Sequence, residues 1–367
     1  MKVQIKSKVV IIMKQETSKR ITVLRVILIV LVIFIHNNNS NVENTLAAYC
    51  IKTVISEMLA RVAVPIFFLI SGYLLFMKNE PYLTVLRKKA KTLLLPYMLW
   101  NMVVLAMFFI GQNMPYISRF FNDENNMIAN YSMYQWLDAF LGLNDQGYPA
   151  AYQFWFIRDL MILVLVFPVG KWLVDHAPAA TLAASMVIWL QQWRVGFISS
   201  EAVLFFLAGY YLVKYDLDWE KIDSMRLFDV LIGYIFCLIT ELVLLLNGRE
   251  FMIIHKIGII LGCIIWMKIS RFVVRHEKWY AGILKAAGYC FFVYAFHEPF
   301  LTMLRKVWNA VMPSEGMFWQ MVQYFGLVFI AIVVSYIVGW IVKRICPLVY
   351  GWLTGGRTGK STIRFTN

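Results

Sequence analysis

Residues 20–36 read RITVLRVILIVLVIFIH, a nearly unbroken run of apolar side chains that contains three ionisable groups, Arg20, Arg25 and His36. An ionisable group is costly in so apolar a helix, and such groups usually face the interior of a helix bundle or a water-filled cavity. Arg25 and His36 are eleven residues apart, about three helical turns, so both project from nearly the same face, about 16 Å apart along the axis. The stretch therefore predicts a first membrane helix with one functional face.

The composition excludes a soluble domain with a polar shell. The chain has 367 residues, 60% of them hydrophobic and 15% charged, and its mean hydropathy is +0.65. These values are typical of an integral membrane protein. The five cysteines show no CxxC spacing, so neither a disulfide framework nor a zinc site is indicated, and we expect no metal cofactor.

Apolar runs of about the length that crosses a bilayer recur along the chain. We predict an all-α, polytopic membrane protein with ten spans, at residues 21–36, 54–77, 92–110, 154–174, 179–193, 202–213, 227–246, 251–267, 286–308 and 318–342. No polar insert is long enough for a separate catalytic module. We therefore predict one membrane domain over residues 21–345, preceded by an N-terminal segment (1–20) and followed by a basic tail (346–367).

The charge distribution predicts the orientation. The formal net charge is +14, and the basic residues gather in short loops and at the termini, as the positive-inside rule expects for cytoplasmic segments. Residues 111–153 are acidic and basic-poor, which predicts an external segment, and residues 134–143 within it resemble an interfacial helix. We expect a multi-pass inner-membrane protein with both termini in the cytoplasm and with anionic lipid, not nucleic acid, as its partner.

The two charged positions of the first helix suggest a ligand site. An anionic ligand that contacts Arg25 with a phosphate could extend to His36, because a phosphopantetheine arm has about this reach. The imidazole of His36 would then be available as a general base. The alternative is a histidine at a helix end that reaches the membrane interface.

Two further arginines, Arg61 and Arg158, lie within or at the edge of predicted spans. Arginine stays charged at any accessible pH, and its planar fork suits phosphate or carboxylate. Each has an acid close in sequence, Glu57 four residues before Arg61 and Asp159 directly after Arg158, although adjacent helical side chains diverge by about 100° and do not face each other. Structural ion pairing and ligand binding are both compatible with this pattern.

Two more motifs fall inside spans. His297, Glu298 and Pro299 lie in the ninth span, where the proline weakens the helical hydrogen bond to the carbonyl of Ala295. A proton relay or acceptor contact fits this motif, and so does a packed interhelical hydrogen bond. The other motif, Ser71, Gly72 and Tyr73, lacks the GxSxG pattern of a nucleophile elbow and has no strand before it. We therefore interpret Ser71 as a small packing residue.

The order of several blocks carries a family resemblance. After Arg25 and His36 come PIFFLISGYLL at 65–75, RKKAKTLLLPY at 87–97, FWFIRDL at 154–160, FFLAGYYL at 205–212 and YCFFVYAFHEPF at 289–300. In this order the sequence resembles the acyltransferase-3 family of membrane acyltransferases, which includes bacterial polysaccharide and peptidoglycan O-acetyltransferases of the cell envelope. One position departs from the family pattern, because Thr22 stands where relatives often have an aspartate three residues before the arginine.

The resemblance implies a ten-helix membrane O-acyltransferase that uses acyl-CoA as its co-substrate. An acyl group, most commonly acetyl, would move to a hydroxyl of a cell-surface or lipid-linked glycan. His36 would be the catalytic base, and Arg25, Arg61 and Arg158 would contact the CoA phosphates or the oxyanion. Two alternatives are a transporter or flippase of lipid-linked sugars, and a non-catalytic family member, for which Thr22 is the only hint.

Overall fold

The computed structural model describes residues 2–37, 45–118, 127–143, 147–217, 219–313 and 315–357, and it leaves out the side chains of residues 2–14 and 220. Within these ranges the chain contains no strand and one isolated bridge, between Val195 and Ile198. The helices are α1 (Lys2–His36), α2 (Leu46–Lys52), α3 (Ala63–Lys78), α4 (Tyr82–Lys89), α5 (Leu95–Asn113), α6 (Met133–Leu141), α7 (Trp155–His176), α8 (Pro178–Leu190), α9 (Ser200–Lys214), α10 (Trp219–Ser224), α11 (Leu227–Leu246), α12 (Met252–Arg275), α13 (Glu277–Ala287), α14 (Cys290–Val311), α15 (Met317–Ile345) and α16 (Pro347–Thr354).

All ten predicted spans fall on these helices, and the prediction of an all-α, polytopic membrane protein is confirmed. Five helical stretches in the described ranges are long and apolar enough to cross a membrane, namely Leu46–Lys78, Tyr82–Asn113, Leu227–Leu246, Met252–Arg275 and Met317–Ile345. The first two join α2 to α3 and α4 to α5 through short π-helical or 3-10 segments. Helices α1, α7 and α14 carry more charged residues, and these helices supply most of the predicted site residues.

The ends of the membrane domain are helical. Helix α1 begins at Lys2, so the segment predicted for residues 1–20 continues into the first span without a break over its described part. The predicted tail opens with α16, and its last ten positions, 358–367, lie outside the described residues. The predicted interfacial helix corresponds to α6, which a capping box of Ser132 and Gln135 begins and Gly142 ends at a positive φ of 62°.

Helix α1 lies at the centre of the bundle, against α3, α12, α13, α14 and α15. Its Leu24, Leu28 and Ile33 are completely buried. The buried charge of Arg20 is compensated, because its guanidinium donates to both carboxylate oxygens of Asp223 at 2.8 and 3.1 Å. Arg20 is therefore a structural residue that ties α1 to α10, and of the three ionisable groups in this stretch Arg25 and His36 remain for a ligand.

Helices α3 and α9 form the most extensive helix pair, and glycines make their close approach possible. A Cβ atom on Gly72 would collide with the carbonyl oxygen of Phe206, and one on Gly209 would collide with the backbone of Leu69 and Tyr73. Close backbone contact between small residues is the usual way in which membrane helices pack. In the predicted motif it is thus Gly72 that packs, whereas its neighbour Ser71 lines a cavity.

Helix α14 is broken in the middle. Glu298 has extended backbone angles (φ −116°, ψ 139°), as expected for a residue that precedes a proline. The break frees the carbonyls of Ala295 and Glu298, and both accept hydrogen bonds from the side-chain amide of Gln153, at 3.0 and 2.8 Å. The ninth span, predicted as one stretch at 286–308, therefore starts at the end of α13 and is divided at Glu298.

Candidate active site

A cavity of about 1350 Å³ runs inside the bundle along α1. It is lined by both predicted residues of the first helix, Arg25 and His36, so the two side chains share one face, as the spacing predicts. We call the two parts of the cavity the Arg25 end and the His36 end. The ring of His36 faces this cavity, which does not fit the alternative of an imidazole that reaches the membrane interface.

The His36 end brings two histidines together. The ring of His36 lies 5.2 Å from that of His297 and 5.1 Å from that of Tyr152, measured between centroids. No described protein group forms a hydrogen bond with the ring nitrogens of His36, which are therefore available to a substrate in the cavity. The contact between the first and ninth spans could not be predicted from the sequence.

The protonation of His297 follows from its contact. His297 is completely buried, and its Nδ1 lies 2.6 Å from the carbonyl oxygen of Tyr294. Because a carbonyl only accepts, Nδ1 carries the proton, and Nε2 of the neutral ring is an acceptor. This Nε2 has no hydrogen-bond partner among the described residues. The predicted motif thus holds a buried acceptor next to His36.

Glu298 and Tyr152 lie next to each other and close to the two histidines. Glu298 is completely buried and accepts a long hydrogen bond, 3.4 Å, from the backbone N–H of Thr302. Burial raises the pKa of Tyr152 well above its usual value, and the nearby carboxyl group of Glu298 raises it further. Tyr152 is therefore a neutral phenol that donates a hydrogen bond. Sequence reasoning missed Tyr152, which precedes the FWFIRDL block by only two residues.

Arg305 is a second residue that the sequence analysis missed. Its Nη2 donates a hydrogen bond of 2.8 Å to the backbone carbonyl of His36, and its buried Nε has no partner among the described residues. The interaction satisfies a carbonyl at the end of α1 and brings a positive charge close to the imidazole. The seven-residue spacing from Glu298, two helical turns, was the available signal.

Arg61 combines the two roles that the sequence left open. Its Nε donates to a carboxylate oxygen of Glu57 at 2.8 Å, and its Nη2 contacts the same oxygen, so the predicted ion pair is present. Arg61 and Glu57 also both line the cavity, and Arg61 lies within electrostatic reach of His36. The pair belongs to the His36 end.

Arg158 does not line the cavity, in contrast to the other two predicted arginines, Arg25 and Arg61. The Nε and Nη2 atoms of Arg158 donate to Asp159 Oδ1, at 3.1 and 2.8 Å. Its Nη1 donates to the carbonyls of Leu141 and Gly147, and Nη2 also donates to the carbonyl of Phe197. The expectation that neighbouring helical side chains do not face each other was wrong here, because the long arginine side chain bends back. Arg158 therefore fastens loop segments to the start of α7.

Arg25 lines the cavity and has no hydrogen bond or ion pair with any described residue. The hydroxyl of Thr22, considered as a partner in place of the usual aspartate, instead donates to the carbonyl of Ser18 at 3.0 Å. A threonine hydroxyl on a helix commonly takes this bond to the preceding turn. The positive charge of Arg25 is consequently left for a ligand.

A second arginine, Arg357, lines the Arg25 end, and the sequence analysis placed it only in a basic tail. Its Nη1 donates to the carbonyls of Thr92 and Thr354, at 3.0 and 2.9 Å, and its guanidinium lies 4.3 Å from the ring centroid of Phe291. Burial lowers the pKa of Arg357 to about 10, and the positive charge of Arg25 adds to this effect. Two arginines that repel each other therefore face the same space, which is typical of a site for a polyanion.

Comparison with known proteins identifies the family of this chain. A family model described as an acyltransferase domain, acyltransferase 3, matches residues 18–343. The succinoglycan biosynthesis protein ExoH of Rhizobium meliloti (strain 1021) is 26% identical over 361 residues, which cover 95% of this chain and 94% of that protein. No solved structure shows significant similarity to the chain. The matched region contains the whole path from Arg25 to His297, and this chain is a member of the acyltransferase 3 family of membrane acyltransferases.

Proposed function

We propose that this protein moves an acyl group from acyl-CoA to a hydroxyl of a cell-surface or lipid-linked glycan, with acetyl as the first acyl group to test. The observation that carries the proposal is the cavity with an unpaired Arg25 at one end and an unpaired His36 ring at the other. A glycan acceptor is supported by the relative from Rhizobium meliloti, which is named for the biosynthesis of a polysaccharide, succinoglycan.

The Arg25 end suits the phosphorylated part of acyl-CoA. Arg25 and Arg357 both line it, and guanidinium groups bind phosphate oxygens through paired hydrogen bonds. The distance from Arg25 to His36, about 16 Å along α1, is close to the reach of a phosphopantetheine arm. A donor anchored at the arginines would therefore present its thioester carbonyl near His36.

The His36 end supplies the groups for the transfer step. The imidazole of His36 takes the proton of the acceptor hydroxyl as its oxygen attacks the thioester carbonyl carbon. The tetrahedral oxyanion collapses with cleavage of the C–S bond, and the CoA thiolate recovers the proton from the imidazolium. Arg61, which lines the cavity near His36, stabilises the oxyanion, and Arg305, which donates to the backbone carbonyl of His36, adds positive charge next to that residue.

His297 and Glu298 assist the transfer without contacting the acyl group. In this mechanism the unpartnered Nε2 of His297 accepts the single N–H of the neutral His36 ring, so it orients that ring, leaves the other nitrogen free to act as the base, and stabilises the imidazolium. Glu298 and Tyr152 complete a buried polar path at the acceptor side. We assign His297 a positioning role and place Glu298 in the proton relay.

The orientation follows from where the two substrates are. Acyl-CoA is a cytoplasmic metabolite, so the Arg25 end opens to the cytoplasm and the His36 end faces the outside of the inner membrane. Basic loops and both basic termini on the cytoplasmic side agree with this assignment. In this arrangement the acyl group passes through the bundle while CoA stays on the cytoplasmic side.

The direct test is transfer by purified protein in proteoliposomes. Acetyl-CoA or succinyl-CoA is supplied with oligosaccharides from the surface polysaccharide of a strain that lacks the gene, and thiol release and the acyl mass increment are measured. Wild-type protein is expected to release thiol and to modify the sugar, and His36→Ala, inserted at the same level, to do neither. A transporter would consume no acyl-CoA, and activity of His36→Ala would overturn the mechanism.

A further inference from the structure

Glu201 is a carboxylate that the transfer chemistry above does not use. It lies in the first turn of α9, lines the cavity, and forms no hydrogen bond or close ion pair with any described residue. A glutamate in the first helical turn interacts favourably with the helix dipole. An interaction with the helix dipole would not require Glu201 to line a cavity, however. The N-terminus of α9 is also already capped, because the hydroxyl of Ser199 accepts a hydrogen bond from the N–H of Ala202.

The basic groups around Glu201 have closer partners elsewhere. Its charged neighbours are Arg61, Lys256 and His255. Arg61 is paired with Glu57, His255 lies 2.8 Å from a carboxylate oxygen of Glu241, and Lys256 lies over the ring of Trp189, 4.6 Å from its centroid. The carboxylate of Glu201 thus lies near positively charged groups, but its oxygens accept no hydrogen bond from a described residue.

The same part of the cavity offers a surface for a sugar ring. The N–H of Ser199, at the start of α9, donates to Asp159 at the start of α7 at 2.9 Å, and Tyr152, just before α7, contacts the ring of His36. Glu201, in the first turn of α9, therefore belongs to the His36 end. Two tyrosines line the cavity there, because the ring of Tyr152 lies 5.1 Å from that of His36 and the ring of Tyr148 lies 6.5 Å from that of Tyr152, measured between centroids. Aromatic rings pack against the C–H face of a pyranose, and a carboxylate accepts hydrogen bonds from two neighbouring hydroxyls at once.

We propose that Glu201 binds the acceptor, a neutral saccharide with neighbouring free hydroxyls, and holds it so that one further hydroxyl reaches His36. This subsite rests on the acyl transfer proposed above. The negative charge of Glu201 repels a polyanionic donor, which the arginines at the Arg25 end attract. It also disfavours a uronic acid at this position, so the charge separates the two substrates and selects among acceptors.

The test separates acceptor binding from donor binding. Initial rates of full-length protein in proteoliposomes are measured with the same oligosaccharides at saturating acetyl-CoA, and then with acetyl-CoA varied. Glu201→Gln is expected to raise the KM for the oligosaccharide roughly 10- to 100-fold, the usual effect of losing a hydrogen bond to a charged group. The KM for acetyl-CoA and the thermal shift caused by CoA are expected to stay as in the wild type.

Two further variants keep the result decisive. Glu201→Asp retains the charge and is expected to restore part of the acceptor affinity, and it replaces the glutamine variant if that protein does not insert. Glu277→Gln removes an exposed carboxylate that also lies in a first helical turn, that of α13, but does not line the cavity, and it is expected to behave as wild type.

Each outcome bears on one proposal. If wild type transfers the acyl group and the glutamine variant, or the aspartate variant in its place, has a wild-type KM for the oligosaccharide, the subsite is wrong and the proposed function stands. A raised KM for acetyl-CoA alone would also overturn the subsite. If wild type modifies no saccharide, the proposed function fails and the subsite fails with it.

Discussion

The rings of His36 and His297, on the first helix and on a broken helix near the end of the chain, lie 5.2 Å apart between centroids. The position of the second ring depends on the break at Glu298, where Gln153 satisfies two freed carbonyls. The break in this helix therefore has a structural consequence. It places a buried imidazole acceptor, held by the carbonyl of Tyr294, behind the ring that faces the cavity.

This relationship predicts a graded effect of substitutions at His297. His297→Leu removes the acceptor behind His36, and we expect kcat to fall roughly 10- to 100-fold, the lower part of the contribution of a positioned acid or base. The KM values for donor and acceptor are expected to change little, because His297 contacts neither. His297→Gln keeps an acceptor oxygen and should recover part of kcat. Equal rates of both variants, measured as initial velocities, would show that the acceptor has no role.

The two arginines of the Arg25 end predict a specific defect in donor binding. Arg25→Gln and Arg357→Gln should each raise the KM for acyl-CoA about 10- to 100-fold, because each removes a charge-assisted contact with phosphate. The wild-type KM should also rise with salt, as expected for an interaction between charges. The matched control is Arg344→Gln, which removes an exposed arginine near the end of α15 that does not line the cavity. A wild-type KM for acyl-CoA in both cavity variants would contradict the assignment of the Arg25 end as the donor site.

The sequence was sufficient for the fold class and for one side of the site. Long apolar runs have one stable form in a bilayer, the helix, so the spans could be located from composition alone. The spacing of Arg25 and His36 also predicted a shared face, because a straight helix converts separation in sequence into direction. Neither inference requires knowledge of how helices pack against each other.

The other side of the site depends on packing, which the sequence does not reveal. His297 was noticed, but its position beside His36 results from the arrangement of α1 and α14. Arg305 and Arg357 looked like ordinary basic residues near a helix end and in a tail. For Arg158 the sequence left an ion pair and a ligand contact both open, and packing favours the ion pair, because its guanidinium is bonded to Asp159 and to three backbone carbonyls.

The crossing of α3 and α9 predicts that Gly72 is indispensable for folding. Gly72→Ala places a methyl group against the carbonyl of Phe206, and backbone cannot move aside as a flexible side chain can. We expect a lower melting temperature and a smaller monodisperse fraction by fluorescence-detected size-exclusion chromatography. Gly326→Ala in α15 is the control, since its Cβ would meet open space. Alanine is the better helix former, so the control should be neutral or slightly stabilising. Equal stability of the two variants would contradict this account.

Arg158 offers the clearest distinction between a structural and a ligand-binding arginine. It is buried, paired with Asp159, and bonded to three backbone carbonyls, so Arg158→Gln leaves a buried carboxylate without its cation. Breaking such a pair typically costs about 3–5 kcal/mol. We expect a marked fall in melting temperature, whereas the fraction that remains folded keeps the wild-type KM for acyl-CoA, because the guanidinium does not line the cavity. Arg25→Gln should show the opposite pattern, a normal melting temperature with weakened donor binding, because that side chain has no described protein partner to lose. A raised KM for acyl-CoA in a stable Arg158→Gln protein would show that Arg158 contributes to donor binding.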